Sequence, residues 1–540
     1  MSNEKNLILA YDVGTTSLKT CAYRLNEKIE LVASSMGEYK LTIGANSLAE
    51  QNPDDWFKAM TSTTRQVLTE SGLSADQVAG ISFCSQMQGL VLVDKNGKAL
   101  RPSMSYMDGR AEAQKLSCGS KSGRRPAGPK IEGVPINKVL DSIRITGIAP
   151  LSVKDPLWKY HWVRENEPDV FKSVYKYLDV KEYLIMRLTG RAVMTRDSAA
   201  ATFMYDNRPG KGVWSKAMCR AYNVNPDHLA DIIDSTECAG GLLKNPASEM
   251  GLPEGVPVFG GGGDASLIGL GAGAVNENDA HIYMGTSGWV SVLTSKRLLD
   301  LTHMIASITG AIPDKYQYFC EQETAGKCME WVKKHLAMDE IGVYLEKKEV
   351  SDDPETVYAN LFEFLSDIIN QTEPGCGGVL FTPWLQGSRS PFEDVNARGM
   401  FFNIGLNTGK RMLVRSVIEG LAYNIKWMLE SVEGKLKCNE TLRFVGGGAL
   451  SDVNAQIISD ILERHLEVPE YPQNTGALGA AVAAGMGLEL ISGFSEVPSR
   501  IKINKVFKPD NKNREVYERN YSVFKKLYAS NKQLFAELNK

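Results

Sequence analysis

Apolar and polar positions alternate along the chain with two periods, and the changes of period mark its elements. Residues 7–11, 19–25 and 30–34 are short apolar runs that predict three strands in a meander. Asn52, Pro53, Asp54 and Asp55 carry the marks of a helix start: a capping amide, a first-turn proline and two acids. Trp56, Met60, Val67 and Leu68 supply that helix's buried stripe. Strands follow at 78–84 and 90–93, the second ending at an Asn96-Gly97 turn. Three strands, a helix, then alternating strands and helices predict an α/β domain on a mixed sheet.

The plan returns in the second half. Residues 281–284, a Gly285-Thr286-Ser287-Gly288 turn and residues 289–293 repeat the strand, Gly-Thr turn and strand of residues 7–25. Such a duplication predicts two similar domains facing each other, each with a phosphate clamp. From Val414 through Ile418, Leu421, Ile425 and Met428 to Val432 the apolar spacing alternates between three and four, a buried helix. Residues 441–445 form a strand ending in Gly446, Gly447, Gly448 and Ala449, and Ser451 opens the next helix. Residues 476–485 are a small-residue helix, and 509–540 a charged one that docks through Tyr517, Tyr521, Phe524 and Leu527. A length of 540 residues exceeds what one core supports, so the expected domains are 1–252 and 253–540, closing about Leu252.

One stretch concentrates the chemistry. Residues 256–259 form a buried strand, and Gly260, Gly261, Gly262 and Gly263 follow it. Without Cβ atoms, that turn is expected to lie open to a large ligand. Asp264 comes next, ahead of a small-residue helix. A carboxylate so placed suits a general base that takes a proton from a hydroxyl. The alternative is a plain glycine turn with Asp264 as helix N-cap. The first strand ends in Asp12-Val13-Gly14-Thr15-Thr16-Ser17, a tight turn offering N–H groups and hydroxyls to one point, as phosphate oxygens require. Asp12 is placed to hold magnesium, directly or through water; in the alternative it pairs with Lys19 across an ordinary hairpin.

Composition narrows the partners. The chain is 43% hydrophobic with a net charge of -3, so no basic footprint for nucleic acid is expected. Nine cysteines without a Cys-x-x-Cys pair are expected to be reduced thiols of a cytoplasmic protein. The histidines form no His-x-x-x-His pair, and no run reaches membrane-spanning length, so neither that kind of metal centre nor a membrane partner is expected. Dinucleotide fingerprints and Gly-Lys-Ser/Thr loops are missing too. Residues 117–130, basic and rich in glycine, serine and proline, are expected to be mobile within an insertion spanning about 117–139.

Ser85-Gln86-Met87-Gln88-Gly89 and Tyr106-Met107-Asp108-Gly109-Arg110, with the Asp12 turn ahead of them, resemble the FGGY carbohydrate kinases, nearest the xylulokinase branch. Residues 156–166 fit the first FGGY signature except at its opening position, Lys154, and residues 399–419 approximate the second. Within the first signature, Trp158, Trp162 and Val163 fall on one helix face, expected to pack in the core. The resemblance implies two ribonuclease-H-like domains of the actin and hexokinase superfamily with a cleft between them. It implies a sugar pocket lined by Gln86, Met87, Gln88, Asp108 and Arg110 together with Asp264. ATP would be held by Gly14, Thr15, Thr16, Ser17 and Lys19, by Gly285, Thr286, Ser287 and Gly326, and by Gly446, Gly447, Gly448, Ala449 and Asn454. Asp12 and Asp264 would carry Mg2+, and family habit points to a homodimer.

The expected reaction is ATP-dependent phosphorylation of a small sugar, first a pentulose such as D-xylulose. Gln88 stands where the branch has His and Met107 where it has Asn, which leaves ribulose, erythritol-type polyols, glycerol and gluconate open. A reading of another class keeps the fold without transfer: a sugar-sensing or ATP-driven clamp protein.

Overall fold

The computed structural model describes residues 5–118, 128–336 and 361–539. Two mixed sheets form its frame. The first contains β1 (Leu7–Val13), β2 (Ser17–Leu25), β3 (Ile29–Glu38), β4 (Val78–Ser85), β5 (Cys238–Gly241), β6 (Pro257–Phe259) and β7 (Gly262–Gly263). Its order is β3-β2-β1-β4-β6-β5, with β7 pairing the end of β4. The meander is antiparallel, while β4 runs parallel to β1 and β6 parallel to β4.

The second sheet contains β8 (Ala280–Met284), β9 (Gly288–Thr294), β10 (Leu299–Asp300), β11 (Ile305–Thr309), β12 (Tyr316–Gln322), β13 (Thr441–Val445), β14 (His465–Pro469) and β15 (Ile503–Phe507). They are ordered β10-β11-β12-β9-β8-β13-β14-β15. Here β8, β9 and β12 form the antiparallel meander, and β13 and β14 continue in parallel. Both sheets therefore carry one plan, in which a meander is extended by parallel strands on the side of its first strand.

Alternate residues of β1 show what covers the first sheet. Leu7, Leu9, Tyr11 and Val13 pack with Trp56, Met60 and Val67 of the helix Pro53–Ser71. Ile8 and Ala10 face the other way, onto Ala477, Ala480 and Ala481. Those alanines belong to a helix from the far end of the chain, so β1 is buried on both faces and reads as an unbroken apolar run.

That far helix, α2 (Thr475–Gly487), crosses α1 (Asp264–Gly271). A Cβ on Gly271 would overlap the Thr475 carbonyl oxygen, and one on Gly479 would overlap that of Leu267. Glycine is required at both positions because backbone meets backbone.

Several expectations change. Leu252 is buried in the first core, and β6 and β7 keep the chain in the first sheet as far as Gly263, beyond a division at 252/253. The strand Val91–Val93 pairs with Lys176–Leu178 rather than joining the main sheet, because both flanks of β4 are already taken by β1, β6 and β7. In the 117–139 insertion, residues 119–127 lie outside the described residues. From Lys130 onward it is ordered: a short hairpin leads into the helix Ile136–Thr146, whose Val139 and Ile145 are buried. Among the described residues, no helix is long and apolar enough to cross a membrane.

A methyl group at the α1–α2 crossing should be felt directly. Gly271→Ala is expected to destabilise the protein by about 1–3 kcal/mol, the usual penalty of overpacking, seen as a lower denaturant or thermal midpoint.

Candidate active site

The site forms at the carboxyl ends of the first sheet's parallel strands, where open α/β sheets place ligands. Cys84 and Ser85 at the end of β4 have Asp12 and Val13 on one side and Gly262 and Gly263 on the other. Two strand spacings set the Asp12 and Gly262 backbones about 10 Å apart.

The glycine turn is closed by the protein itself, which corrects the expectation that it lies open to a ligand. A Cβ would strike the Asp234 carbonyl at Gly260, the Phe83 backbone at Gly261, the Asp197 carboxylate at Gly262 and the Met87 thioether at Gly263. The glycines thus let Met87 pack directly onto the backbone beside Asp264. Asp197 pins the turn, accepting from Gly263 N–H at 2.7 Å and from the Ser266 hydroxyl. Burial pushes the Asp197 carboxyl up, but Lys181 and the bonds from Ser266, Thr195 and Gly263 outweigh it and hold it below the usual range.

Gly263, not Asp264, occupies the N-cap of α1. Asp264 is the first helical residue, and its Oδ1 accepts from Ala265 N–H at 2.8 Å. It is recessed but keeps partial exposure to the cleft. Burial pushes its carboxyl up to about 7, against the pull of the Ala265 bond and helped by the charges of Asp12, Glu321 and Asp197. A carboxyl poised near neutrality suits proton abstraction at physiological pH.

Asp12 is also raised by burial, with Lys19 and Cys84 working against it. Lys19 stands opposite Asp12 in register, but its Nζ donates to Asn474 Oδ1 at 2.7 Å and to the Gln473 carbonyl. It ties the first sheet to the turn ahead of α2. Among the described residues no cluster of three or more His, Cys, Asp or Glu side chains is set to hold a metal by itself. Two mutually repelling carboxylates fit a dication that takes its remaining ligands from bound phosphates.

Two turns share one hydrogen-bond pattern. In the first, Gly14 N–H donates to the Ser17 carbonyl at 2.9 Å, and the Tyr39 hydroxyl donates to both Gly14 and Ser17 carbonyls. In the second, Gly285 N–H donates to the Ser287 carbonyl at 3.0 Å, and Gly326 N–H to that of Gly285 at 2.7 Å. Thr16 and Thr286 stand exposed at the two tips, with Thr15 and Ser287 half-buried beside them. Next to the second turn, Gly446 has a φ of 93° and Gly448 packs against Met284, while the space over Gly447 is open. Ala449 is buried behind them, and Asn454 Nδ2 reaches the Gly448 carbonyl at 3.4 Å while its Oδ1 is buried without a partner.

Met87 and Gln88, expected in the sugar pocket, are half-buried, and Gln88 has a φ of 64°. That strained backbone is held from both sides: Lys159 Nζ donates to the Gln88 carbonyl at 2.8 Å, and Gly89 N–H to Asp179 Oδ1 at 2.9 Å. Asp108 is sealed from solvent, accepting from Ala49 N–H and from Arg110. The Arg110 guanidinium lies 4.6 Å from the Trp162 ring and donates to Glu50. Trp162, expected in the core, is therefore a half-buried platform for an arginine.

Sequence reasoning missed Glu50, Gln51, Tyr106, Glu321 and Arg389. The Tyr106 hydroxyl lies 3.3 Å from Thr15 Oγ1, and Arg389 joins Glu321 at 2.6 Å and Glu323 at 3.1 Å from the second domain. Tyr106 sat in a visible motif; Glu50 and Gln51 had no local signal.

Comparison with known proteins identifies the family. The N-terminal domain model of the FGGY family of carbohydrate kinases matches residues 7–271 and its C-terminal domain model residues 280–488. A xylulose kinase of Staphylococcus epidermidis is 28% identical over 537 residues, 99% of each chain. A gluconokinase of Bacillus subtilis is 27% identical, covering 92% of this chain and 90% of its own. The crystal structure of ligand-bound xylulose kinase from Lactobacillus acidophilus superposes with a TM-score of 0.82 at 22% identity, covering 98% and 99% of the two chains. Two sheets of one plan, paired Gly-Thr turns and family models matching residues 7–271 and 280–488 lead to one assignment: the chain belongs to the FGGY family of carbohydrate kinases and is a sugar kinase, with ATP as the substrate that the family implies.

Proposed function

We propose that this chain transfers the γ-phosphoryl group of ATP to a hydroxyl of a pentulose such as D-xylulose, with Asp264 as general base. The observation that carries the reading is the recessed Asp264 carboxyl, raised to about 7 and set beside Met87 at the strand edge it shares with Asp12. A sugar hydroxyl is a weak nucleophile, so Asp264 orients it and accepts its proton during attack on phosphorus. Met87, Gln88 and Arg110 line the sugar side and fix which hydroxyl meets Asp264. The turns at 14–17 and 285–287 hold the triphosphate through N–H groups and hydroxyls, and the 446–449 turn with Asn454 seats the adenosine. Mg2+, held by Asp12 and Asp264, supplies charge neutralisation for the phosphates. The domains close about the α1–α2 crossing and exclude water, which would otherwise take the phosphoryl group. The xylulose kinase relatives support the pentulose; gluconate is the second substrate reading, favoured by the gluconokinase relative.

Asp264→Asn is expected to lower turnover by about 10²–10⁴-fold with the sugar KM largely kept, in a coupled ADP-release assay; near-normal turnover removes Asp264 from the role. The same variant tests the electrostatics. A carboxyl whose folded pKa is raised destabilises the fold when ionised, fully above pH 7 and not at all below its unfolded value near 4. Asp264→Asn should thus raise the melting temperature at pH 8, and the gain should shrink as pH falls towards 4. Across a panel of ketoses, polyols and gluconate with ATP and magnesium, D-xylulose is expected to give the highest kcat/KM, and a higher value for gluconate reverses the two substrate readings.

A further inference from the structure

One short strand outside every motif touches both halves of the site. Leu48–Gln51 pairs antiparallel with Ser103–Met104, just before the 106–110 loop. Its first residues serve the sugar side. Ala49 N–H donates to Asp108 Oδ2, the Ala49 carbonyl accepts from Ser105 N–H, and Glu50 Oε1 takes both Arg101 and Arg110.

Gln51, 2% exposed, serves the other side. Its Nε2 donates to the Thr15 carbonyl at 2.7 Å, and its Oε1 accepts from Gln86 Nε2 at 2.9 Å. A carbonyl can only accept, so Thr15 fixes the orientation of the Gln51 amide and, through it, that of Gln86. Gln86 Oε1 is then left buried without a partner, in a residue only 6% exposed. A buried acceptor in that state favours any ligand that brings it a donor. Tyr106 gives the same connection a second strand, hydroxyl to hydroxyl, at Thr15.

We infer that Gln51 is a positioning residue that couples the two substrates, setting the 14–17 turn for triphosphate when sugar engages Gln86 and Arg110. This rests on the proposal that Gln86 and Arg110 line the sugar pocket and that the 14–17 turn holds phosphate. A hydroxyl donated to Gln86 Oε1 steadies the amide pair and with it the Thr15 carbonyl, so the N–H groups of the turn are already aimed when ATP arrives. Linkage makes the effect mutual: the nucleotide must strengthen sugar binding by the same factor.

The test uses the full-length protein with Gln51→Leu, which removes both bonds. Gln51→Glu is nearly isosteric, keeps the acceptor for Gln86 and sets a carboxylate oxygen against the Thr15 carbonyl. For each, the dissociation constant of a non-hydrolysable ATP analogue with magnesium is measured with and without the sugar that the wild type phosphorylates, alongside the melting temperature. The wild type is expected to bind the analogue at least about fivefold tighter with sugar, the lower end of ordinary coupling, and both variants to show a ratio near one. Variants that keep the wild-type ratio, whatever their melting temperature, overturn the inference and leave Gln51 a packing residue. A wild-type ratio near one overturns it as well, while phosphoryl transfer by the wild type still upholds the reading beneath it. A wild type that phosphorylates no sugar overturns both.

Discussion

The frame depends on one contact between bare backbones, the crossing of α1 and α2. Gly271 meets Thr475 and Gly479 meets Leu267 with no side chain between them. That closeness lets the helix pair serve both sheets: Leu267 and Leu270 of α1 and the alanines of α2 share a core with Ile8 and Ala10 of β1 and Phe259 of β6, while Ile268 of α1 packs with Trp289 of β9 and Val445 of β13. Asp264 begins α1, and Gly476 in the first turn of α2 lies against Asp12. Both acids are thus held against the two helices of the crossing.

Much of the frame was legible because its elements obey simple periods. The helix at Pro53–Ser71, the long helix Lys410–Glu433 and the final helix Arg514–Leu538 follow their apolar spacing, and the final one buries Tyr517, Tyr521, Phe524 and Leu527 as expected. The paired Gly-Thr turns announced the duplicated plan. What stayed hidden was partnership. The strand at Val91–Val93 looks like any sheet strand, and only the occupied flanks of β4 exclude it from the sheet. The glycines before Asp264 look like an opening for a ligand, whereas Met87, Phe83, Asp197 and Asp234 fill that space. Gln51 and Glu50 act through neighbours distant in sequence, and no local pattern marks such residues.

The charges show what the site requires of its surroundings. Burial disfavours the ionised forms of Asp12 and Asp264, and the charge of Asp12 adds to the difficulty at Asp264. Behind them Asp197 is satisfied in full, by Lys181, Thr195, Ser198, Ser266 and the Gly263 N–H. One carboxylate is kept content so that the next can be kept uneasy. Arg110 shows the same division, since Asp108 and Glu50 hold it and Trp162 supports its plane.

The cover that α2 gives to β1 also orders events in time. Ile8 and Ala10 leave the ribosome long before Ala477, Ala480 and Ala481, the alanines that bury them. Until Gly487 emerges, one side of the first sheet is an unroofed apolar plane, so the amino-terminal half is not a free-standing folding unit but a template awaiting its own far end. The first sheet's second face should stay unfinished until α2 has emerged, and the fold should tolerate a cut in a surface loop better than the loss of α2.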